Sequence, residues 1–89
     1  MKAVISVTGR DNMGIIAAVS AECAKYGTNI SDISQTVLGE YFAMIMIVEL
    51  DRMTVPFNDF VDKMSALGTE RGLDIHTMHE DIFNSMHRI

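Results

Sequence analysis

The run from Tyr41 to Leu50 constrains the fold of this chain more than any other segment, because it contains a single charged side chain, Glu49. Successive side chains of a β-strand point to opposite faces of the sheet, so a strand with one face in water alternates apolar and polar residues. This run is instead apolar at both parities, with Phe42, Met44, Met46 and Val48 at one and Ala43, Ile45 and Ile47 at the other. It predicts a central strand with apolar cover on both sides.

A chain of 89 residues with 48% hydrophobic residues is expected to form one domain, spanning residues 1–89, around an apolar core. No apolar run reaches the ~18 residues of a membrane-spanning helix, and the first residues lack the pattern of a secretion signal. The single cysteine, Cys23, has no partner for an internal disulfide. We therefore expect a soluble, unprocessed, cytoplasmic protein that does not associate with membranes.

The formal net charge is −5, and the lysines and arginines form no cluster along the chain. Nucleic-acid binding usually requires a basic patch, so direct binding of DNA or RNA is not expected. The chain also contains eight methionines. Methionine is flexible and polarisable, so these side chains suit either an irregular core or an adaptable interface.

The first half of the chain predicts a strand, a helix and a second strand. β-Branched residues favour a strand over 3–9, and Asp11 or Asn12 is expected to cap the helix that follows. Gly27 is expected to end this helix. The stretch from Asn29 to Val37 is β-rich but polar, which is typical of an edge strand.

After the central strand, the second half predicts a helix, a strand and a tail. Thr54 is expected to cap the second helix, which has a proline near its start, and Gly68 and Gly72 bracket its end. The stretch from Leu73 to Met78 predicts the last strand, and residues 80–89 a short C-terminal helical tail.

The order β-α-β-β-α-β predicts an α+β fold, the ferredoxin-like βαββαβ sandwich, in which two helices cover one face of a four-stranded antiparallel sheet. The opposite face would then be bare, although the central strand is apolar on both sides, so we expect a partner to cover it. Substitution of Met44 or Met46 by glutamate is expected to break such an assembly. The alternative is that the tail folds back over this face with Ile82, Phe83 and Met86.

The turn between the first strand and the first helix is the candidate functional site. A helix N-terminus carries backbone N–H groups without intrahelical acceptors and a partial positive charge, so a glycine-containing turn entering it can receive a small carboxylate. Glycine can equally serve only the backbone conformation of such a turn. Both interpretations are open from spacing alone.

Several segments together resemble the ACT domain, a small regulatory module that binds amino acids in many metabolic enzymes. They are Gly9-Arg-Asp-Asn-Met-Gly-Ile15 at the turn, Gly27-Thr-Asn-Ile30, Asp32-Ile-Ser-Gln35 and Tyr41-Phe-Ala-Met-Ile-Met46 in the long apolar strand. The resemblance runs through nearly the whole chain. It is strongest to small bacterial ACT proteins related to the glycine-cleavage transcriptional repressor.

The resemblance implies a homodimer or tetramer in which the first turn and the second strand meet a neighbouring subunit and hold a small amino acid. The backbone amides of residues 12–15 would hold its carboxylate, Asp11 its ammonium group, and Asn29 would add a donor and an acceptor across the interface. Many relatives that bind ligands have proline where this chain has Met13, and Asp11 can instead cap the helix. The candidate ligand-binding residues are Asp11, Asn12, Met13, Gly14, Ile15, Asn29 and Ile30.

Other chemistries are weaker candidates. His76 and His79 would face opposite sides of a strand, so we expect surface histidines and no metal site. Acylphosphatases share this fold and bind phosphate at the corresponding turn through an arginine and an asparagine, which Arg10 and Asn12 match only superficially. Cys23 falls on the apolar stripe of the first helix, where a thiol is normally inert. We expect no enzymatic activity and no cofactor.

The sequence therefore favours a regulatory protein that binds an amino acid of the glycine or serine class at a dimer interface and signals through a protein partner. The alternative is a homo- or hetero-oligomerisation module that binds no ligand.

Overall fold

A computed structural model describes residues 1–86, and the last three residues of the predicted tail, 87–89, lie outside the described residues. The elements are β1 (Lys2–Arg10), α1 (Ile15–Lys25), β2 (Asn29–Leu38), β3 (Tyr41–Glu49), α2 (Phe57–Arg71), β4 (Leu73–His79) and α3 (Glu80–Met86). The predicted order of strands and helices is confirmed, and the tail contributes a third helix directly after β4.

The four strands form one antiparallel sheet in the order β2-β3-β1-β4. The predictions of β2 as an edge strand and β3 as a central strand are both confirmed. Arg10 pairs with Tyr41 at one end of the sheet, and Lys2 pairs with Glu49 at the other. We call these the turn end and the far end, because the β1–α1 turn leaves the sheet beside Arg10.

The core lies between one face of the sheet and the helices α1 and α2. Its largest fully buried side chains come from the sheet and from both of these helices, and they include Ile5, Val7, Val19, Met44, Met46, Phe60 and Met64. We call the sheet side opposite these helices the open face. On it, Ala43 and Ile47 of β3 are half-buried and Ile45 is 46% exposed.

The expectation that Met44 and Met46 form an assembling sheet face is therefore wrong. Both side chains lie under the helices and are at most 2% exposed. Alternation divides the side chains of β3 into two sets that face opposite sides of the sheet. Because both sets are apolar, alternation does not predict which set faces the helices. The parity with the larger, more adaptable Phe and Met side chains fills the space between sheet and helices.

The predicted N-caps are wrong for both long helices. Helix α1 begins after Gly14, and Asp11 and Asn12 lie too early in the turn to cap it. Helix α2 begins after Pro56, whose fixed φ suits a helix start, while the backbone N–H of Thr54 donates to the carbonyl of Tyr26. Gly14 and Pro56, the residues that cap the two helices, make no side-chain hydrogen bond to them.

The predicted stop at Gly27 is confirmed. The N–H of Gly27 donates to the carbonyl of Ala24, and the N–H of Thr28 to that of Cys23, which is the Schellman pattern with glycine at φ 76°. Gly72 ends α2 in the same backbone region, whereas Gly68 lies inside this helix. A Cβ on Gly68 would lie 2.7 Å from the carbonyl oxygen of Leu73, so this glycine allows α2 to approach β4.

Helix α3 covers one corner of the open face. Val4 points away from the core yet is only 4% exposed, and α3 packs against its strand, β1, and against β4. Two of the three tail side chains expected to cover this face, Ile82 and Met86, are 51% and 65% exposed, so the tail covers only a corner at the far end of the sheet. Towards the turn end, Tyr41 and Ile45 remain exposed.

Within residues 1–86, no helix combines the length and the apolar character needed to cross a membrane.

Candidate functional site

The β1–α1 turn, residues 11–14, is held against the neighbouring β2–β3 turn. The N–H of Asp11 donates to the carbonyl of Glu40 over 2.7 Å, and the Arg10 guanidinium lies 3.3 Å from the Glu40 carboxylate. The side-chain amide of Asn12 donates to the carbonyl of Arg10 over 3.2 Å. The ion pair is exposed and contributes little, so the backbone hydrogen bond is the main tether of the turn.

Gly14 sets the direction in which α1 leaves the turn. Its φ of 81° lies in the left-handed region that favours glycine, and a Cβ there would have no neighbouring atom within 4 Å. The first hydrogen bond of the helix runs from the N–H of Ala18 to the carbonyl of Gly14. The amides that precede Ala18 in the first turn therefore have no intrahelical acceptor and are available to a ligand or to water.

A cavity of about 280 Å³ lies beside this turn, between α1 and the helix side of β2. It is an open groove, and its volume is large enough for a free amino acid. Its polar groups come mainly from the turn and from β2, and its apolar wall from α1 and β3. The lining residues are Asp11, Asn12, Gly14, Ile15, Ile16, Ala17, Gln35, Val37 and Phe42.

The β2 wall of the cavity belongs to a shelf that α1 leaves uncovered, formed by Ile33, Gln35 and Val37. Gln35 pairs with Met44 and Val37 with Phe42, which places both on the helix side, yet Val37 is 52% exposed. The sequence analysis missed Gln35 and Val37 as site residues. The sequence shows that Gln35 and Val37, two residues apart on β2, face the same side of the sheet. It does not show that this side faces α1, because the register of β2 includes a bulge at Ser31.

Four of the predicted site residues, Asp11, Asn12, Gly14 and Ile15, meet at the cavity. Met13 belongs to the same turn but is 96% exposed and does not line the cavity. Asp11 takes part in none of the ion pairs found within residues 1–86, so its carboxylate is free to meet a cation.

The other two predicted residues, Asn29 and Ile30, lie at the far end of the sheet. Asn29 pairs with Glu49 and donates from Nδ2 to its carboxylate over 3.1 Å, on the open face. Ile30 is on the helix side and packs against the core. The eight steps of β1 from Arg10 to Lys2 span about 26 Å at ~3.3 Å per residue, so one chain does not bring these residues to the turn.

The remaining candidates are placed apart from this cavity. His76 pairs with Asp74 over 3.1 Å on the open face, whereas the ring of His79 stacks on Phe57, at a centroid distance of 3.9 Å, on the helix side. Among residues 1–86 no three potential ligands gather around a metal-sized site. Cys23 is fully buried, and burial raises the pKa of its thiol, with a smaller opposing effect from its hydrogen bond with Thr28.

The strand order, the glycine turn into α1 and the two long helices on one face define a ferredoxin-like domain. Residues 2–77 match the family model of the ACT domain, and the chain belongs to this family. The match ends within β4, so α3 lies outside it.

Two relatives match this chain over nearly the full length of both chains. A UPF0237 protein of Clostridium acetobutylicum is 45% identical over 89 residues, with both chains fully covered. An ACT domain protein from Streptococcus pneumoniae has 41% identity, a TM-score of 0.82 and 98% coverage of both chains. A structure assigned as a glycine cleavage system transcriptional repressor has 26% identity and a TM-score of 0.70 over 85% of this chain and 43% of its own.

Proposed function

We propose that this protein is a regulatory amino-acid sensor whose ligand binds in the cavity beside the β1–α1 turn. The observation that carries the proposal is the set of free amides in the first turn of α1, opening on a small cavity that also contains the carboxylate of Asp11. The amides of residues 12–15, of which that of Ile15 belongs to α1, would hold the ligand carboxylate together with the free helix amides of Ile16 and Ala17, and Asp11 would hold its ammonium group. The similarity to a structure assigned as a glycine cleavage system transcriptional repressor favours a ligand of the glycine or serine class.

A second copy of the chain would complete the site. Edge strand β2 is exposed along nearly its whole length, and antiparallel pairing with the same strand of a second copy is the simplest contact for it. With the bulge at Ser31 counted, pairing centred on Ile33 would bring Ile30 of the second copy opposite Gln35, on the helix side next to the cavity. Asn29 of the second copy would then lie opposite Thr36 on the open face, one step along the strand, with its Oδ1 unused.

Signalling would follow from this shared site. A ligand shifts an equilibrium only when it binds two states with different affinity. A ligand held between the turn of one chain and β2 of another favours the paired state, and a regulated protein partner would then recognise the altered dimer. The free, buried thiol of Cys23 suits the reducing cytoplasm, where we place this activity.

The test is binding of glycine and L-serine, measured by calorimetry, to the wild type and to Gly14→Ala. The added methyl group would occupy the open space beside the first turn, and we expect at least a tenfold loss of affinity. Gly72→Ala is the matched control, because Gly72 has a φ of 70°, equally open surroundings and no contact with the cavity. Equal affinities for the two variants would contradict the proposed site.

A ligand-free assembly module is the second candidate, and the exposed part of the open face favours it. Tyr41 is 58% exposed and Ile45 46% exposed on a sheet surface that monomers rarely leave in water. In this case the apolar surface would bury itself against another chain, and the turn would bind nothing.

A further inference from the structure

The part of the open face that α3 leaves uncovered carries large apolar side chains in water. Leu38 of β2 and Tyr41 of β3 are paired neighbours at its turn end and are 69% and 58% exposed, and Ile45, further along β3, is 46% exposed. The cavity beside the β1–α1 turn is lined by other residues. Monomeric proteins rarely expose a continuous apolar patch, so this surface indicates a contact with another chain.

Two neighbouring rows of side chains cross the middle of this surface with one shared pattern. Each row has a hydroxyl group on β2 and on β1, an aliphatic side chain on β3 and an ionisable one on β4. The rows are Ser34-Ile45-Ser6-His76 and Thr36-Ala43-Thr8-Asp74.

The two rows differ in a complementary way. On β3 one row has a long side chain, Ile45, and the other a short one, Ala43. A depression of about 260 Å³ lies beside these two, rimmed by the four hydroxyl side chains. On β4 one row has a base, His76, and the other an acid, Asp74, and the two are 3.1 Å apart within the chain. Each row therefore offers what the other lacks, in size and in charge.

We infer that the open face binds a second copy of this chain, through a two-fold axis that lies between the two sheets and crosses the strands between these rows. Rotation about this axis lays each strand over its own copy in the opposite direction, and each row over the other row. Ile45 of each copy then enters the depression beside Ala43 of the other. Packed sheets lie about 10 Å apart with interdigitating side chains, which this fit provides.

The same rotation matches the polar groups of the two copies. His76 comes to lie over Asp74 of the second copy, so the two pairs within the chains join into one group of alternating charge. Hydroxyl groups of β1 and β2 lie over hydroxyl groups. An axis along the strands would instead place Ile45 over Ser6 of the second copy and leave the depression unfilled. This self-complementarity favours a second copy over an unrelated protein.

The size of the face and the position of α3 agree with this pairing. Four strands of about nine residues measure about 19 Å by 30 Å, which approaches the ~800 Å² of accessible surface that each partner buries in a standard interface. The axis places α3 of each copy near the turn end of the other sheet, where Arg10 has no partner on β4. The exposed Ile82 and Met86 of α3 would then add contacts with the second copy.

This inference does not rest on the proposed function. Pairing through the open face leaves the edge of β2 and the cavity beside the β1–α1 turn free, so amino-acid binding and this assembly can coexist or fail separately.

The test uses sedimentation equilibrium of two variants, alone and mixed, without added amino acid. Ala43→Ile would oppose isoleucine to isoleucine at both symmetric contacts, and Ile45→Ala would oppose alanine to alanine. Each variant alone should show a dissociation constant at least about tenfold above that of the wild type. An equimolar mixture should regain the wild-type mass, because a heterodimer again opposes isoleucine to alanine at both contacts.

Ala66→Ile is the matched control, because it makes the same substitution on the exposed surface of α2, and its mass should equal that of the wild type. A monomeric wild type would overturn the inference, since another protein or none would then cover the face. Wild-type dissociation constants for both single variants would also overturn it. Recovery is specific to this axis, so a mixture that stays as light as the single variants would contradict the pairing.

Recovery of mass on mixing also shows that both variants are folded. If the mixture recovers while glycine and L-serine fail to bind the wild type, only the proposed function is contradicted.

Discussion

Single residues in this fold take their properties from the layer in which they lie. Gly14 and Gly68 show this for glycine: the first is required by a left-handed φ in open space, the second by the close approach of β4 to an ordinary helix. Cys23 shows it for a reactive group. Its thiol lies in the core cluster, where burial makes it a small apolar side chain.

The raised pKa of Cys23 predicts how stability depends on alkaline pH. The unfolded chain would lose the thiol proton near the ordinary cysteine pKa of 9.0, while the folded chain retains it to higher pH. Unfolding therefore releases a proton above that value, and the stabilising effect of the neutral buried thiol is lost as the pH rises through the folded pKa. Urea denaturation at pH 8 and pH 10 should show a larger loss of stability for the wild type than for Cys23→Ala.

Cys23→Ala also serves as the reference for all other groups that titrate in this range, because tyrosines and lysines are the same in both chains. Parallel losses for the two chains would show that the thiol ionises as easily in the folded protein as in the unfolded one.

The elements show which features of this fold can be predicted from sequence. Strand and helix order follows from periodicity, and the stop at Gly27 follows from its left-handed geometry. The starts of α1 and α2 could not be predicted from cap residues, because Gly14 and Pro56 set the backbone without a side-chain cap. The side of β2 that carries Gln35 could not be predicted either, since the bulge at Ser31 is invisible to strict alternation.

Met44 and Ile45 are neighbours in β3 whose side chains face opposite sides of the sheet. Met44→Glu would place a carboxylate in the core, where Met44 is 2% exposed, and we expect a loss of more than about 3 kcal/mol in the free energy of unfolding. Ile45→Glu changes a side chain that is 46% exposed on the open face, and the loss should stay below about 1 kcal/mol. Urea denaturation measures both.

Sedimentation of Ile45→Glu measures the oligomeric mass, since we expect this variant to keep its fold. A lower mass than the wild type would support the assembly module, whereas an unchanged mass would count against it. Equal destabilisation by the two substitutions would contradict the assignment of the two faces of β3.

The whole molecule combines a covered sheet face, an open face with one corner under α3, and an unpaired edge strand. The turn cavity lies at one end of β2 and Asn29 at the other, so the residues that the family resemblance groups together are separated by the length of the sheet. Sequence reasoning could name these residues but not their separation, which depends on strand register. In the proposed function an assembly of two chains would unite them, and this would link ligand binding to oligomeric state.

Amino-acid binding is the central claim, and a thermal-shift screen of the wild-type protein against the twenty amino acids at millimolar concentration tests it most directly. A ligand at 100 times its Kd stabilises the native state by about 2.7 kcal/mol. For a domain of this size that corresponds to a rise in Tm of more than about 5 °C. We expect such a rise with glycine or serine. An unchanged Tm with all twenty would contradict the claim.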